Sequence, residues 1–328
     1  MKFLISIFST ALTFIVCSAQ AAELAWPEKT HYRSTDVMGQ TIFYREAGES
    51  NPQTIVLLHG YPSSSHTYRE LIPLLSGRYH VIAPDNLGSG FSSKPDAGTF
   101  EYNFDILATY VDGLLKNKKI DKFVLYMQDF GAPVGYRLMM KDPKRIQAII
   151  VQNANAYIEG IPPEKQAFFN NAQLNKSAEN VSKLFEFTSA DAIRNKQYLR
   201  DVQENPEIMS PDSWTHDSHF LSTETERRIQ VELFQDYKTN LDAYPKWQIF
   251  LRKHQFPTLI AWGKRDPVFT ADGAKAYLGD LPKAELHLLD AGHFAVEENP
   301  VEIAKLIISF LGYKGVEGSI NKQMGKPQ

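Results

Sequence analysis

The chain has 328 residues, of which 43% are hydrophobic and 22% charged, with a formal net charge of −3. This is ordinary globular composition, enough for one large domain with an insertion or for two small domains, with a core that needs no staple. No basic field exists, which disfavours nucleic acid and anionic membrane as partners.

The first residues stand apart from the rest. Lys2 opens the chain, Phe3 to Val16 is almost unbroken apolar sequence, and Ala19-Gln20-Ala21 forms an A-x-A cleavage site. The spacing predicts a signal peptide over residues 1–21, a mature start near Ala22, and a secreted or periplasmic protein. The apolar run is too short to span a bilayer, and no later run approaches the length required. Cleavage removes Cys17, the single cysteine. The mature chain is then expected to lack disulfides and thiolate metal sites, and to have no membrane association.

After residue 30, short apolar runs alternate with amphipathic stretches, the pattern of a sheet covered by helices on both faces. Strands are predicted at 40–46, 54–59, 79–84, 122–127, 148–153, 257–263 and 284–289. Helices are predicted at 67–75, 104–115, 131–141 and 301–311. The run from Ile55 to His59 is apolar on both sides, as in a strand buried on both faces. Between 154 and 247 the alternation breaks into polar and aromatic sequence that reads as helices with no strand. The expected layout is a core of residues 22–153 and 248–312, a helical cap at 154–247, and a flexible polar tail at 313–328. A cap inserted between strands would roof the strand ends, where ligands of open parallel sheets bind.

The chemistry gathers at those strand ends. In VLYMQDFGAPVG, from Val124 to Gly135, an apolar strand runs into Asp129 and a helix follows from Gly131. That is the layout of a nucleophile elbow, a tight turn eased by small neighbours. Met127 is larger than the usual residue there, and a helix-capping aspartate is the competing reading. His59-Gly60-Tyr61-Pro62 follows a buried strand and can aim the Tyr61 N–H at the elbow. With the N–H of Phe130 it would make an oxyanion hole. Asp266 in GKRDPVF and His293 in DAGHFAVEENP each follow a strand. Their order, nucleophile then acid then histidine, favours a catalytic triad over a capping residue. No His and carboxylate cluster has metal-ligand spacing, so no metal or other cofactor is expected.

From Arg33 to Leu311 the chain resembles α/β-hydrolases of the epoxide hydrolase and haloalkane dehalogenase branch. The resemblance is carried by HGYP, MQDFG, GKRDPVF, AGHF and the loop PDNLGSGFSSKP. It implies an α/β fold with a mostly parallel eight-stranded sheet and a helical cap. It also implies that Asp129 attacks carbon to form an alkyl ester, which His293 hydrolyses by activating water while Asp266 orients the ring. Serine in the same place would yield an ether that the site could not cleave. The partners implied are a small apolar substrate and water.

The leaving group separates the two branches. Dehalogenases of this kind hold halide with tryptophan or asparagine N–H groups, whereas position 130 is Phe and position 61 is Tyr. Fluoroacetate dehalogenases hold a carboxylate with arginines just after the elbow, where this chain has only Arg137. Epoxide hydrolases protonate the oxygen from cap tyrosines, and Tyr237 in LFQDYKTNLDAYPKW matches one of them. The segment of the second donor, QAFFNNAQLN, has no tyrosine, leaving Tyr157, Tyr198, His216 and His219 as candidates. The reading is an epoxide-opening hydrolase, with a dehalogenase and a non-catalytic binding protein of the same fold as alternatives.

Overall fold

The computed structural model describes residues 27–323. The signal-peptide expectation and Cys17 lie outside them. Eight strands form one sheet in the order β1-β2-β4-β3-β5-β6-β7-β8. They are β1 (His31–Val37), β2 (Gln40–Ala47), β3 (Thr54–Leu58), β4 (His80–Pro84), β5 (Phe123–Gln128), β6 (Ile146–Gln152), β7 (Thr258–Gly263) and β8 (Glu285–Leu289). β2 runs antiparallel to β1 and β4, and the pairs from β4 through β8 are parallel. Every residue of β3, β5 and β7 is buried, because helices cover both faces of the sheet. Two apolar clusters result, one on each face.

The seven strands expected from apolar runs are present within a residue or two. β1 escaped because HYRSTDV is a largely exposed edge strand with little apolar signal. The single helix expected at 67–75 is instead a 3-10 turn, Ser65–Tyr68, followed by α1 (Leu71–Ser76). Pro73 accounts for the break. It has no N–H to bond the carbonyl of Arg69, but it is tolerated in the first turn of a helix that starts at Leu71. Helices α2 (Phe104–Asn117) and α3 (Gly131–Lys141) flank the elbow. The last helix runs Pro300–Gln323, well past the expected end at Leu311 and into the segment expected to be a flexible tail.

No strand interrupts the chain between β6 and β7. That insertion holds α4 (Pro163–Leu174), α5 (Ala178–Phe187), a π-helical turn at Ile193–Tyr198, and helices Pro211–His219, Glu224–Asp236 and Lys238–His254. It is stitched to the core by polar bonds. Asp236 accepts the N–H of Phe104 at 2.9 Å, Arg69 donates to Ser213 at 3.2 Å, and Arg137 donates to Asn240 at 2.8 Å. A cavity of about 470 Å³ lies where insertion and strand ends meet.

Candidate active site

β5 ends at Gln128 and α3 begins at Gly131, so the chain must reverse within Asp129 and Phe130. Asp129 takes the left-handed backbone, with φ of 49°. That conformation is strained for a residue with a side chain and persists only where the surroundings impose it. Two glycines make the turn possible. A Cβ on Gly131 would lie 2.2 Å from the carbonyl oxygen of Leu58, and one on Gly60 would lie 2.4 Å from Asp129 Oδ1. Met127 is accommodated by a third glycine, since a Cβ on Gly135 would sit 2.4 Å from its sulfur. The small residue expected two places before the nucleophile is thus replaced by a small residue on the facing helix.

The Asp129 carboxylate points at the other predicted residues. The Tyr61 N–H donates to Oδ1 at 2.7 Å, so the turn from His59 to Pro62 meets Asp129. The N–H of Phe130, first residue after the nucleophile, has no hydrogen-bond partner among the described residues. His293 Nε2 lies 3.6 Å from Asp129 Oδ2, and its Nδ1 donates to Asp266 Oδ2 at 2.6 Å. Asp129, His293 and Asp266 are therefore one connected set, all buried.

Asp266 is held at both oxygens. Oδ1 accepts the N–H groups of Val268 and Phe269 at 2.8 and 3.0 Å, and Oδ2 accepts from Asn153 Nδ2 at 2.9 Å besides His293. Burial pushes this carboxyl up, but the charge and hydrogen bond of His293, with Arg200 and the Phe269 N–H, outweigh it and leave it lowered. For His293, burial pushes the imidazole down; the carboxylates of Asp266 and Asp129 overcome that and raise it to about 10. Such an acid–histidine pair fixes the ring and stabilises its charged form.

Three residues that carry no sequence signature complete the frame. Gln128 accepts the Gly60 N–H at 3.1 Å, while its Nε2 lies 3.4 Å from His293 Nε2. Asn153, also left-handed with φ of 44°, bonds Asp266 and caps the end of β7 by accepting the Gly263 N–H at 2.8 Å. From the insertion, Asp201 accepts the backbone N–H of His293 at 2.9 Å and is itself held by Arg200 at 2.5 and 2.7 Å. Amide and carboxylate residues that act through such bonds leave no local pattern to read.

The cavity opens over Asp129 and His293. Its walls are mostly aromatic: Phe130, Phe168, Phe169, Phe187, Phe234 and Phe269. Phe185, on α5, is not on this wall. Tyr237 is not on it either. Its ring stacks on Phe169 with centroids 4.0 Å apart and lies 5.5 Å from that of Phe130. None of the four candidates for a second proton donor lines the cavity. Tyr198 donates to Asp217 at 2.5 Å and Tyr157 to Asp280 at 2.8 Å. His216 stacks on His66 at 3.9 Å and His219 packs on Phe220. Among the described residues no cluster of His, Cys, Asp and Glu could hold a metal ion.

Residues 53–300 match the model of the alpha/beta hydrolase fold family. The chain is 40% identical over 280 residues to an uncharacterized hydrolase of Saccharomyces cerevisiae, covering 83% of this chain and 93% of that one. The epoxide hydrolase CorEH shares the fold with a TM-score of 0.70 at 18% identity, over 87% of this chain and 99% of its own. The haloalkane dehalogenase DbeA of Bradyrhizobium elkani does so with a TM-score of 0.68 at 21% identity, over 89% and 100%. By the family match across most of its length, and by its eight-stranded sheet, the chain belongs to the alpha/beta hydrolases.

Proposed function

We propose that this hydrolase opens epoxides, or similarly electrophilic carbons, through a covalent ester on Asp129. The observation that carries the reading is a carboxylate, with φ of 49°, at the turn where the fold places its nucleophile. Oxygen of Asp129 attacks carbon and the ring oxygen departs with the electron pair. The alkyl ester that remains has a carbonyl carbon open to water. His293 takes a proton from that water as it attacks, and Asp266 holds the resulting imidazolium. The N–H groups of Tyr61 and Phe130 receive the oxyanion. As it collapses, the imidazolium returns its proton to the departing oxygen, the ring oxygen having been protonated on opening, so that a diol leaves. The second proton of the water passes to solvent, and Asp129 is restored as a carboxylate. The aromatic walls favour an apolar substrate. From its first residues we also propose that the protein is exported.

A dehalogenase would share every step except the leaving group. Phe130 and Tyr61 present no side-chain N–H to a halide, and Arg137 is turned to Asp105, Pro133 and Asn240. A binding protein would have no use for a histidine held between two carboxylates. The test is intact-mass spectrometry of the His293→Gln variant incubated with epoxides and haloalkanes. An adduct with the mass of the whole epoxide, mapped to Asp129, is expected. An adduct lacking halogen, with none from epoxides, moves the enzyme to the dehalogenases. A folded variant that forms neither removes the nucleophilic reading.

A further inference from the structure

Breaking the bond to carbon leaves negative charge on the departing atom, and something facing the cavity must receive it. No tyrosine of the insertion lines the cavity. Tyr237 stacks on Phe169, Tyr198 and Tyr157 donate to Asp217 and Asp280, and the hydroxyl of Tyr61, which does line it, donates to the carbonyl of Phe187 at 3.1 Å. Apart from Asp129 and His293, the polar groups on the wall are Glu164 and Lys165 at the start of α4, and Lys196, Gln197 and Arg200 on one short segment.

Gln197 is the telling member. It is only 6% exposed, it lines the cavity, and neither atom of its amide has a hydrogen-bond partner among the described residues. The amide is therefore committed to no protein group and is open to a ligand in the cavity. It sits in the π-helical turn Ile193–Tyr198, an irregularity that recurs at functional sites. Arg200, three residues on, is committed to Asp201 through Nε and Nη2, yet still lends positive potential to the same wall. Lys196 lines the cavity too, and it is exposed, with no carboxylate within ion-pair distance among the described residues.

We propose that Gln197 is a catalytic residue that donates its amide N–H to the leaving group, in place of a cap tyrosine. The assignment rests on Asp129 being the nucleophile. As the Asp129 oxygen bonds to carbon, the carbon–oxygen bond of the epoxide breaks and its electron pair moves to oxygen. That oxygen stays attached through the neighbouring carbon, accepts the Gln197 N–H, and takes a proton from the Lys196 ammonium. Lys196 recovers the proton from solvent. A departing halide would use the Gln197 N–H alone, with no proton transferred.

The experiment measures the first-order rate of adduct formation with epoxyhexane in His293→Gln protein, alone and combined with Gln197→Met, Gln197→Glu or Lys196→Met. Gln197→Met keeps the shape and removes the donor, and should slow alkylation about tenfold to a hundredfold. The concentration giving half the maximal rate should barely move, a split that mere loosening of the wall would not give. Gln197→Glu, which sets an anion against the forming alkoxide, should be slower still. Lys196→Met should slow the epoxide but leave the rate with any haloalkane accepted by the parent unchanged. Alkylation by Gln197→Met at the parent's rate overturns the proposal while leaving Asp129 as nucleophile. Equal losses in rate and half-saturation overturn it in favour of packing. No adduct in the His293→Gln parent overturns the nucleophilic reading and this proposal with it.

Discussion

His293 stands between Asp266, to which it donates at 2.6 Å, and Asp129, at 3.6 Å, and it has its backbone N–H fixed by Asp201. With its pKa raised to about 10, the ring is an imidazolium in the resting enzyme at neutral pH. It cannot then act as a base, and the proposed first step needs none, because a carboxylate attacks carbon without one. In the proposed cycle, once Asp129 becomes an ester its charge is gone, one of the influences raising His293 disappears, and the ring can lose its proton and activate water. The two half-reactions are thereby ordered by electrostatics. Nuclear magnetic resonance titration of the imidazole should show a charged His293 at neutral pH, and Asp129→Asn should lower its pKa. An unchanged titration in that variant would break the proposed link. The sign for stability follows. A group whose pKa is raised on folding contributes fully below its unfolded value of about 6.5. That contribution is lost as pH rises through about 10.

At this scale, residue types with distinctive chemistry could be read directly. Asp129, His293, Asp266 and Tyr61 lie next to strand ends, and the structure brings them together. Gln128, Asn153, Asp201 and Gln197 could not be found, because an amide or a carboxylate announces a role only through the partner it meets. Tyr237 is the converse case: its segment matches a family pattern, but its ring stacks on Phe169 and does not line the cavity.

The elbow is an element-scale device, since β3, β5 and α3 must approach more closely than side chains permit. Gly131 is where this shows most clearly, facing the carbonyl of Leu58 across 2.2 Å from its would-be Cβ. Gly131→Ala should therefore force β3 and α3 apart and destabilise the protein by about 2 kcal/mol or more. Gly279, in the helix Ala271–Asp280, supplies the control, because a Cβ there meets nothing within 4 Å. Gly279→Ala should be neutral or stabilising by up to about 1 kcal/mol. Denaturant unfolding of the two variants measures both, and equal effects would show that the close approach at the elbow does not constrain the fold. Elements with a strong apolar period, β3, β5 and β7, could be placed from sequence alone. The exposed edge strand β1 and the broken start of α1 could not, one for want of apolar residues and the other because of Pro73.

Across the whole molecule, the site exists because an insertion closes on a sheet edge. The core supplies Asp129, His293, Asp266 and the turn that carries Tyr61. The insertion supplies the aromatic roof, the Gln197 segment and the Asp201 clamp on His293. The bonds between the two join residues far apart in the chain, such as Phe104 with Asp236 and Arg137 with Asn240. The existence of a cap could be read from the missing strand, but its docking, and hence the shape of the cavity, could not.

The central claim is that water enters the product by way of Asp129. Many turnovers of an accepted epoxide in heavy-oxygen water, followed by peptide mass mapping, test it most directly. The ester mechanism predicts heavy oxygen in the carboxylate of Asp129, because the attacking water joins that carbonyl and the original oxygen leaves with the product. Label in the diol alone, with Asp129 unlabelled after many turnovers, would mean that water attacks the substrate directly, and would contradict the account.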